Sequence, residues 1–215
     1  MFWRTMFVIA SLVLVSACQA QVPAEPFQSG THYFPIEPAV ATEAPAGKVE
    51  VVEVFSYACI HCAHFEPHVA AWRAKMPKEA SFAYLPAAWN PQWEGFAKAF
   101  YAAEGLGLLE STHMPLFKAL HEERRQFASL EDLAQWYAGF GAKTDAFLSS
   151  YNSMPTTAGV ERSKSLVPQY GVDGTPTVIV AGKYRVTGAS AGGMEKVFDV
   201  VNYLVAKEAA AAKKA

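Results

Sequence analysis

The spacing of apolar residues changes character several times along the chain, and each change predicts an element. Val49-Glu-Val-Val-Glu-Val-Phe-Ser56 is almost unbroken apolar and β-branched sequence, the pattern of a central strand covered on both faces. A helix is predicted to follow over about 59–75, kinked at Pro67, which lacks an N–H and crowds the preceding turn. Residues 81–86 read as a second strand. Over 93–170 apolar residues recur at spacings of three and four, as in Phe96-Ala-Lys-Ala-Phe100-Tyr101, Pro115-Leu116-Phe117-Lys-Ala-Leu120 and Leu130-Glu-Asp-Leu133-Ala-Gln-Trp136-Tyr137, so this stretch reads as a block of helices. Ser129 with Asp132 has the form of a capping box, Gly139 and Gly141 end the third of these helices, and Thr144 precedes a further start. Pro176-Thr-Val-Ile-Val-Ala181 and Tyr184-Arg-Val-Thr187, joined by a Gly182-Lys183 turn, read as an antiparallel hairpin. A last helix is expected over 192–207, followed by a frayed low-complexity tail over 209–215.

The predicted order is strand, helix, strand, helical block, strand, strand, helix. This is an α/β arrangement, a thioredoxin-like order with an inserted α-helical domain. The core is expected in two parts, 48–92 and 171–208, flanking an insertion at 93–170. No internal repeat is visible. Ahead of the core, 18–47 holds Pro23, Pro26, Pro35, Pro38 and Pro45 and reads as an extended tether with one short strand near 32–36. Residues 1–17 combine Arg4, a twelve-residue apolar stretch over 6–17 and small residues beyond, the form of a secretory signal peptide. Twelve residues fall short of the roughly 20 that cross a bilayer. With 215 residues, 52% hydrophobic and 18% charged, the chain can bury a sizeable core, which excludes disorder. A net charge of -2 leaves no basic surplus to bind nucleic acid or an anionic membrane.

The three cysteines carry the candidate chemistry. Val15-Ser16-Ala17-Cys18 resembles a bacterial lipobox, in which cleavage before the cysteine precedes its lipidation; ordinary cleavage after Ala17 or Ala20 is the alternative. If Cys18 carries lipid, Cys59 and Cys62 remain, spaced Cys-x-x-Cys as suits a disulfide that opens and closes. The predicted elements put Cys59 at the carboxyl end of a buried strand and the start of a helix, where α/β folds place their sites. Free N–H groups and the helix dipole at that position lower a thiol pKa from its usual ~8.5, and His61 can add a donor or a positive charge. Each unit of depression below ambient pH stabilises the reduced form by about 1.4 kcal/mol, or about 30 mV for a two-electron couple. Glu53 interrupts a run that should be buried, so it needs a partner or a raised pKa. His64 and His68 could join the cysteines as metal ligands, but no second pair of ligands follows and they read as solvated helix residues. Trp89, Trp93, Phe96 and Phe100 read as core rather than as a peptide groove.

Taken together, Glu53-Val-Phe-Ser-Tyr-Ala-Cys59-Ile-His-Cys62-Ala-His-Phe-Glu66 and the later Gly171-Val-Asp-Gly-Thr175-Pro176-Thr resemble the DsbA family of bacterial periplasmic thiol-disulfide oxidoreductases over about residues 31–207. The resemblance implies a thioredoxin fold with a helical domain and donation of disulfides to reduced exported polypeptides. It also implies reoxidation by a DsbB-like membrane quinone reductase. On these positions Cys59 is the attacking thiolate and site of the mixed disulfide, Cys62 its buried partner, and His61 the residue that tunes Cys59. Pro176 matches the family's cis-proline, Thr175 offers backbone to an extended substrate, and Glu53 accepts a proton beneath Cys62. Two positions depart from the family: Ile60 stands where the best-known motif has proline, and Ala83 where many members have a lysine near the acidic residue. The expected protein is a monomeric, cofactor-free dithiol oxidase of the periplasm, anchored to a membrane through Cys18. The alternatives are a reductase or isomerase, disfavoured by the lack of a separate dimerisation segment, and a noncatalytic metal-binding protein.

Overall fold

A computed structural model describes residues 25–213. The signal-peptide reading over 1–17 and the lipidation reading at Cys18 lie outside the described residues. Strand β1 (Phe34–Pro35) precedes β2 (Val49–Phe55), which is buried at every position. Helix α1 (Ile60–Arg73) and strand β3 (Ala80–Pro86) follow. Five helices come next: α2 (Pro91–Gly105), α3 (Leu109–His121), α4 (Leu130–Ala138), α5 (Thr144–Tyr151) and α6 (Met154–Gln169). The hairpin β4 (Thr177–Val180) and β5 (Tyr184–Thr187) returns the chain to the sheet. The sheet order is β1-β5-β4-β2-β3, with β2 parallel to β3 and antiparallel to β4.

Alternation along β2 assigns its two faces. Val49 and Val51 pack with Phe65, Val69 and Trp72 of α1 and with the carboxyl-terminal helix. Val52 and Val54 face the other way, onto Leu85, Val167 and Tyr170. Phe55, at the end of the strand, enters a third cluster with Cys62, Phe100, Phe117 and Tyr137, where the helical block meets α1. Glu53 therefore points to the α1 side, between Val51 and Phe55.

Helix α1 itself stays one element across the exposed Pro67. Several expectations are corrected. The single helix expected over 192–207 is a 3-10 turn at Met194–Lys196 followed by α8 (Val197–Ala212), with a separate short helix α7 (Gly188–Ala191) ahead of them. Gly192 and Gly193, at φ 83° and 149°, part α7 from the turn. In the other direction α8 continues through 209–212, where alanine's high helix propensity and the packing of Ala209 on the core hold the turn that was expected to fray. The hairpin turn centres on Ala181-Gly182 rather than Gly182-Lys183. Both central residues have positive φ, 55° and 62°, and Lys183 N–H donates to Val180 O at 3.0 Å, the mirror-image turn that matches strand twist. Ser129 caps α4 by accepting from Asp132 N–H, but the Asp132 carboxylate goes to Ala128 N–H and Arg125, so the box does not close on Ser129. Thr144 is the first residue of α5, not its cap.

The described part of the proline-rich segment is no free tether. Tyr33 and Ile36 are buried, Ile36 N–H donates to Lys183 O at 2.7 Å, Val40 N–H to Gly182 O at 2.9 Å, and Glu43 N–H to Glu50 Oε1 at 3.0 Å. The segment straps the β5 edge and covers backbone groups that an open edge would expose. No helix among the described residues is long and apolar enough to cross a membrane.

Candidate active site

The chain leaves β2 through Ser56-Tyr57-Ala58, and Cys59 becomes the N-cap of α1, with extended backbone at φ −96°, ψ 112°. Cys59 N–H donates to Ser56 O at 3.0 Å, and Cys59 O accepts from Cys62 N–H and Ala63 N–H at 3.1 and 3.2 Å. This turn leaves the Cys59 sulfur half-buried beside open helix N–H groups and sends Cys62 into the core, where its exposure is 0%. The two thiols are unbonded, so the geometry is that of the reduced pair. From 116 residues away, the loop before β4 brings Thr175 O to 3.4 Å from Cys59 Sγ, and the Thr175–Pro176 peptide is cis. His61, Asp173, Thr175, Pro176, Thr187 and Met194 line a groove of about 550 Å³ beside the sulfur.

These surroundings split the pair. A hydrogen bond from Cys62, opposed by burial and aided by the Thr175 side chain and the backbone N–H groups of Cys62 and His61, lowers Cys59 to about 5. Burial, the hydrogen bond to Cys59 and the neighbouring Glu53 push Cys62 far up instead. One turn of helix thus separates a thiolate from a thiol.

The DSBA-like thioredoxin domain model matches residues 85–194. The thiol:disulfide interchange protein DsbA of Pseudomonas aeruginosa is 37% identical over 211 residues, covering 98% of this chain and 100% of that protein. The protein of the same name from Pseudomonas syringae pv. tomato is 36% identical over 214 residues, 99% of each. Among solved structures, Pseudomonas aeruginosa DsbA superposes with a TM-score of 0.83 at 38% identity, covering 88% of this chain and 98% of that one. The oxidoreductase DsbA from Xylella fastidiosa gives 0.77 at 36% identity, with 83% and 96% covered. The chain belongs to the DsbA family. It is a protein thiol-disulfide oxidoreductase with a thioredoxin fold that carries a helical insertion.

In this DsbA-family protein Cys59, Cys62, Thr175 and Pro176 come together in space. The His61 ring is exposed and makes no hydrogen bond among the described residues, so the contact His61 gives Cys59 is its backbone N–H. Glu53 lies beneath the pair with 0% exposure, and neither carboxyl oxygen has a hydrogen-bond partner among the described residues. Burial, with the charges of Glu66 and Cys59, holds its carboxyl well above the usual range. The position beside Glu53 on β3 is Tyr84, not Ala83, which pairs with Val52 and is exposed. Phe96 and Phe100 are buried in the cluster around Phe55 and Tyr57, whereas Trp89 stacks on Trp93 at 5.0 Å and remains 45% exposed. His64 is exposed and His68 partly so, and no group of three or more metal-ligating side chains gathers among the described residues.

Sequence reasoning missed a buried polar cluster against this site. Glu66, 1% exposed, accepts from Tyr84 Oη at 3.0 Å and lies 3.0 Å from His113 Nε2, while His113 Nδ1 lies 2.7 Å from Tyr57 Oη. Glu66 was within reach of periodicity, since it shares the buried face of α1 with Cys62, Phe65 and Val69. Nothing local marks His113, which arrives from the helical block.

Proposed function

We propose that this enzyme oxidises reduced exported polypeptides with a Cys59–Cys62 disulfide, and that the asymmetry between the two sulfurs carries the reaction. A substrate thiolate attacks Cys59, which is accessible beside the groove, and the Cys59–Cys62 bond breaks. Cys62 leaves with the electron pair into a buried site that disfavours a thiolate, so it takes a proton from Glu53. A second substrate thiolate then attacks the substrate sulfur of the mixed disulfide and expels Cys59, the better leaving group because its thiolate is stabilised. Two electrons pass to the cysteine pair and the substrate gains one disulfide. In reoxidation the steps reverse, with Glu53 as the proton acceptor and a DsbB-like membrane quinone reductase as the electron sink. Thr175 presents backbone, and Pro176 a wall of the groove, to an extended chain. His61 acts through its backbone N–H, with its ring on the substrate side.

The supporting observation is the thiolate at Cys59 one helical turn from a buried thiol at Cys62. Equilibration with glutathione buffers tests the direction: a potential well above the glutathione couple is expected, and a low one turns the reading to reductase or isomerase. Cys62→Ala is expected to accumulate mixed disulfides through Cys59, identified by mass spectrometry of trapped species; linkage through any other position overturns the assigned roles.

We also infer that the protein is a periplasmic monomer held to a membrane by acylation of Cys18, a reading supported by Val15-Ser16-Ala17-Cys18. A net charge of -2 adds no attraction to anionic lipid, so attachment rests on acyl chains. Membrane fractionation of wild type against Cys18→Ala, with mass analysis of the amino terminus, decides it. An unlipidated wild type in the soluble fraction refutes the anchor and leaves the redox chemistry standing.

A further inference from the structure

We propose that His113, a positioning residue supplied by the helical block, acts with Tyr84 to fix Glu66 as a buried carboxylate anion, and that this anion keeps the proton on Glu53. The proposal rests on the reading above that Glu53 exchanges a proton with Cys62, and says what sets that proton in place.

Glu53 on β2 pairs across the sheet with Tyr84, whose hydroxyl reaches Glu66 on α1, so the two carboxyls, at 0% and 1% exposure, act on one another in the core. Two carboxyls sharing a site of low dielectric do not both ionise. Which one carries the charge is decided by donors, because an ionised carboxylate only accepts hydrogen bonds. Glu66 has two: Tyr84 O–H reaches Oε2 and His113 Nε2 lies at Oε1, each at 3.0 Å. Glu53 has none among the described residues. The histidine tautomer follows from the same accounting. His113 Nε2 faces the Glu66 carboxylate, which only accepts, so the ring proton sits on Nε2 and Nδ1, 2.7 Å from Tyr57 Oη, accepts from the Tyr57 O–H. In this arrangement Tyr57, His113 and Tyr84 each spend their donor on an acceptor. A doubly protonated His113 would instead turn Nδ1–H on the Tyr57 hydroxyl and leave that hydroxyl without an acceptor among the described residues. The other ionisable groups packed round the two carboxyls are Cys59 and Cys62 on α1, and Arg73, whose guanidinium sits 5.6 Å from the Tyr84 ring centre. Glu104 of α2 and Tyr137 of α4 act on Tyr57 from farther out.

The consequence is chemical. Glu53 enters the reaction as a neutral acid, and when Cys62 leaves as a thiolate the Glu53 O–H bond breaks while a Cys62 S–H bond forms. The negative Glu66 beside it raises the proton affinity of Glu53 toward that of the buried thiol, so the proton returns readily in reoxidation.

Difference infrared spectroscopy of the reduced full-length protein tests this through the carbonyl stretch of a buried carboxylic acid. At neutral pH one such band is expected, abolished by Glu53→Gln and retained in Glu66→Gln. In Glu66→Gln its titration midpoint is expected to fall by about one pH unit or more. His113→Phe and Tyr84→Phe each lower the midpoint, and His113→Gln, which keeps a side-chain N–H donor, restores it. A wild-type band abolished by Glu66→Gln instead, or a midpoint unmoved in Glu66→Gln, overturns the proposal. The wild-type assignment needs no variant at His113 to fold. Turnover of Glu53→Gln is the separate arm: unchanged turnover refutes the role of Glu53 at Cys62, while the infrared result alone decides the arrangement of charge.

Discussion

Cys59 and Cys62 are chemically identical side chains three positions apart, and position alone divides their roles. Cys59 caps a helix, where Cys62, Thr175 and the backbone N–H groups of Cys62 and His61 favour its thiolate, whereas Cys62 points into a cluster of aromatic rings. The rate of alkylation of Cys59 is expected to rise through an inflection near pH 5, with Cys62 unreactive throughout. Thr175→Val removes one of the groups that stabilise the thiolate and is expected to move the inflection upward; an inflection near 8.5, the ordinary thiol value, would remove the basis for an oxidising disulfide. The sign for stability follows. Cys59 is depressed in the folded reduced protein, so its contribution is complete above the unfolded thiol value of ~8.5 and is lost as pH falls through about 5. Urea unfolding of the reduced and oxidised forms is therefore expected to show the reduced form gaining on the oxidised one as pH rises across that window.

At the scale of elements, β2 and α1 bear the site and their packing holds it. Phe198 of α8 stacks on Trp72 and Phe65 of α1, with ring centres 4.8 and 5.4 Å apart, and so clamps the helix that begins at Cys59. Phe198→Ala is expected to cost about 3–5 kcal/mol in urea unfolding, since the buried ring has no other element to fill its place. Glu53 works against the stability of β2. Its carboxyl is raised in the folded state by burial and by Glu66, so the native protein holds a proton that the unfolded chain releases above ~4.3, and stability falls as pH rises past that value. The slope reaches about 1.4 kcal/mol per pH unit for one proton. Glu53→Gln is expected to flatten the profile between pH 5 and the native Glu53 midpoint, and an unchanged slope would show that Glu53 already ionises in the core. A strand interior that carries an unpaired acid at a stability cost is consistent with the proton-exchange role proposed for Glu53.

At the scale of the whole molecule, two remote segments close on the strand–helix junction that carries Cys59, and a third closes the opposite edge of the sheet. The loop before β4 meets Cys59, the helical block docks on Tyr57 through His113 and His121, and the 25–47 segment seals the far edge of the sheet. His121 Nε2 lies 2.7 Å from Tyr57 O, so the block grips the backbone of the turn that carries Cys59. The strap depends on one close approach: Gly182 has φ +62° and a Cβ there would come within van der Waals overlap of Val40 O. Gly182→Ala is expected to lower stability by about 1–3 kcal/mol and to raise hydrogen exchange at Val40 N–H. Unchanged protection there would show that the strap does not depend on this contact.

The sequence by itself marked the buried faces of the main elements and the position of the cysteine pair. Apolar spacing marks β2, the helical block and the hairpin, and Cys-x-x-Cys at the end of a buried strand marks a thiol site, because periodicity and turn chemistry act over a few residues. Only the tertiary structure decided what meets those residues. Thr175 comes to Cys59 across 116 positions, Tyr84 rather than Ala83 flanks Glu53, His113 supplies the donor for Glu66, and the proline-rich segment lies down on β5. A pattern along the chain specifies the face a side chain presents, but its partner is set by sheet register and by how helices dock. Those are properties of distant segments packed together, and they leave no local signature of the groups that meet Glu53 or of the role of His113.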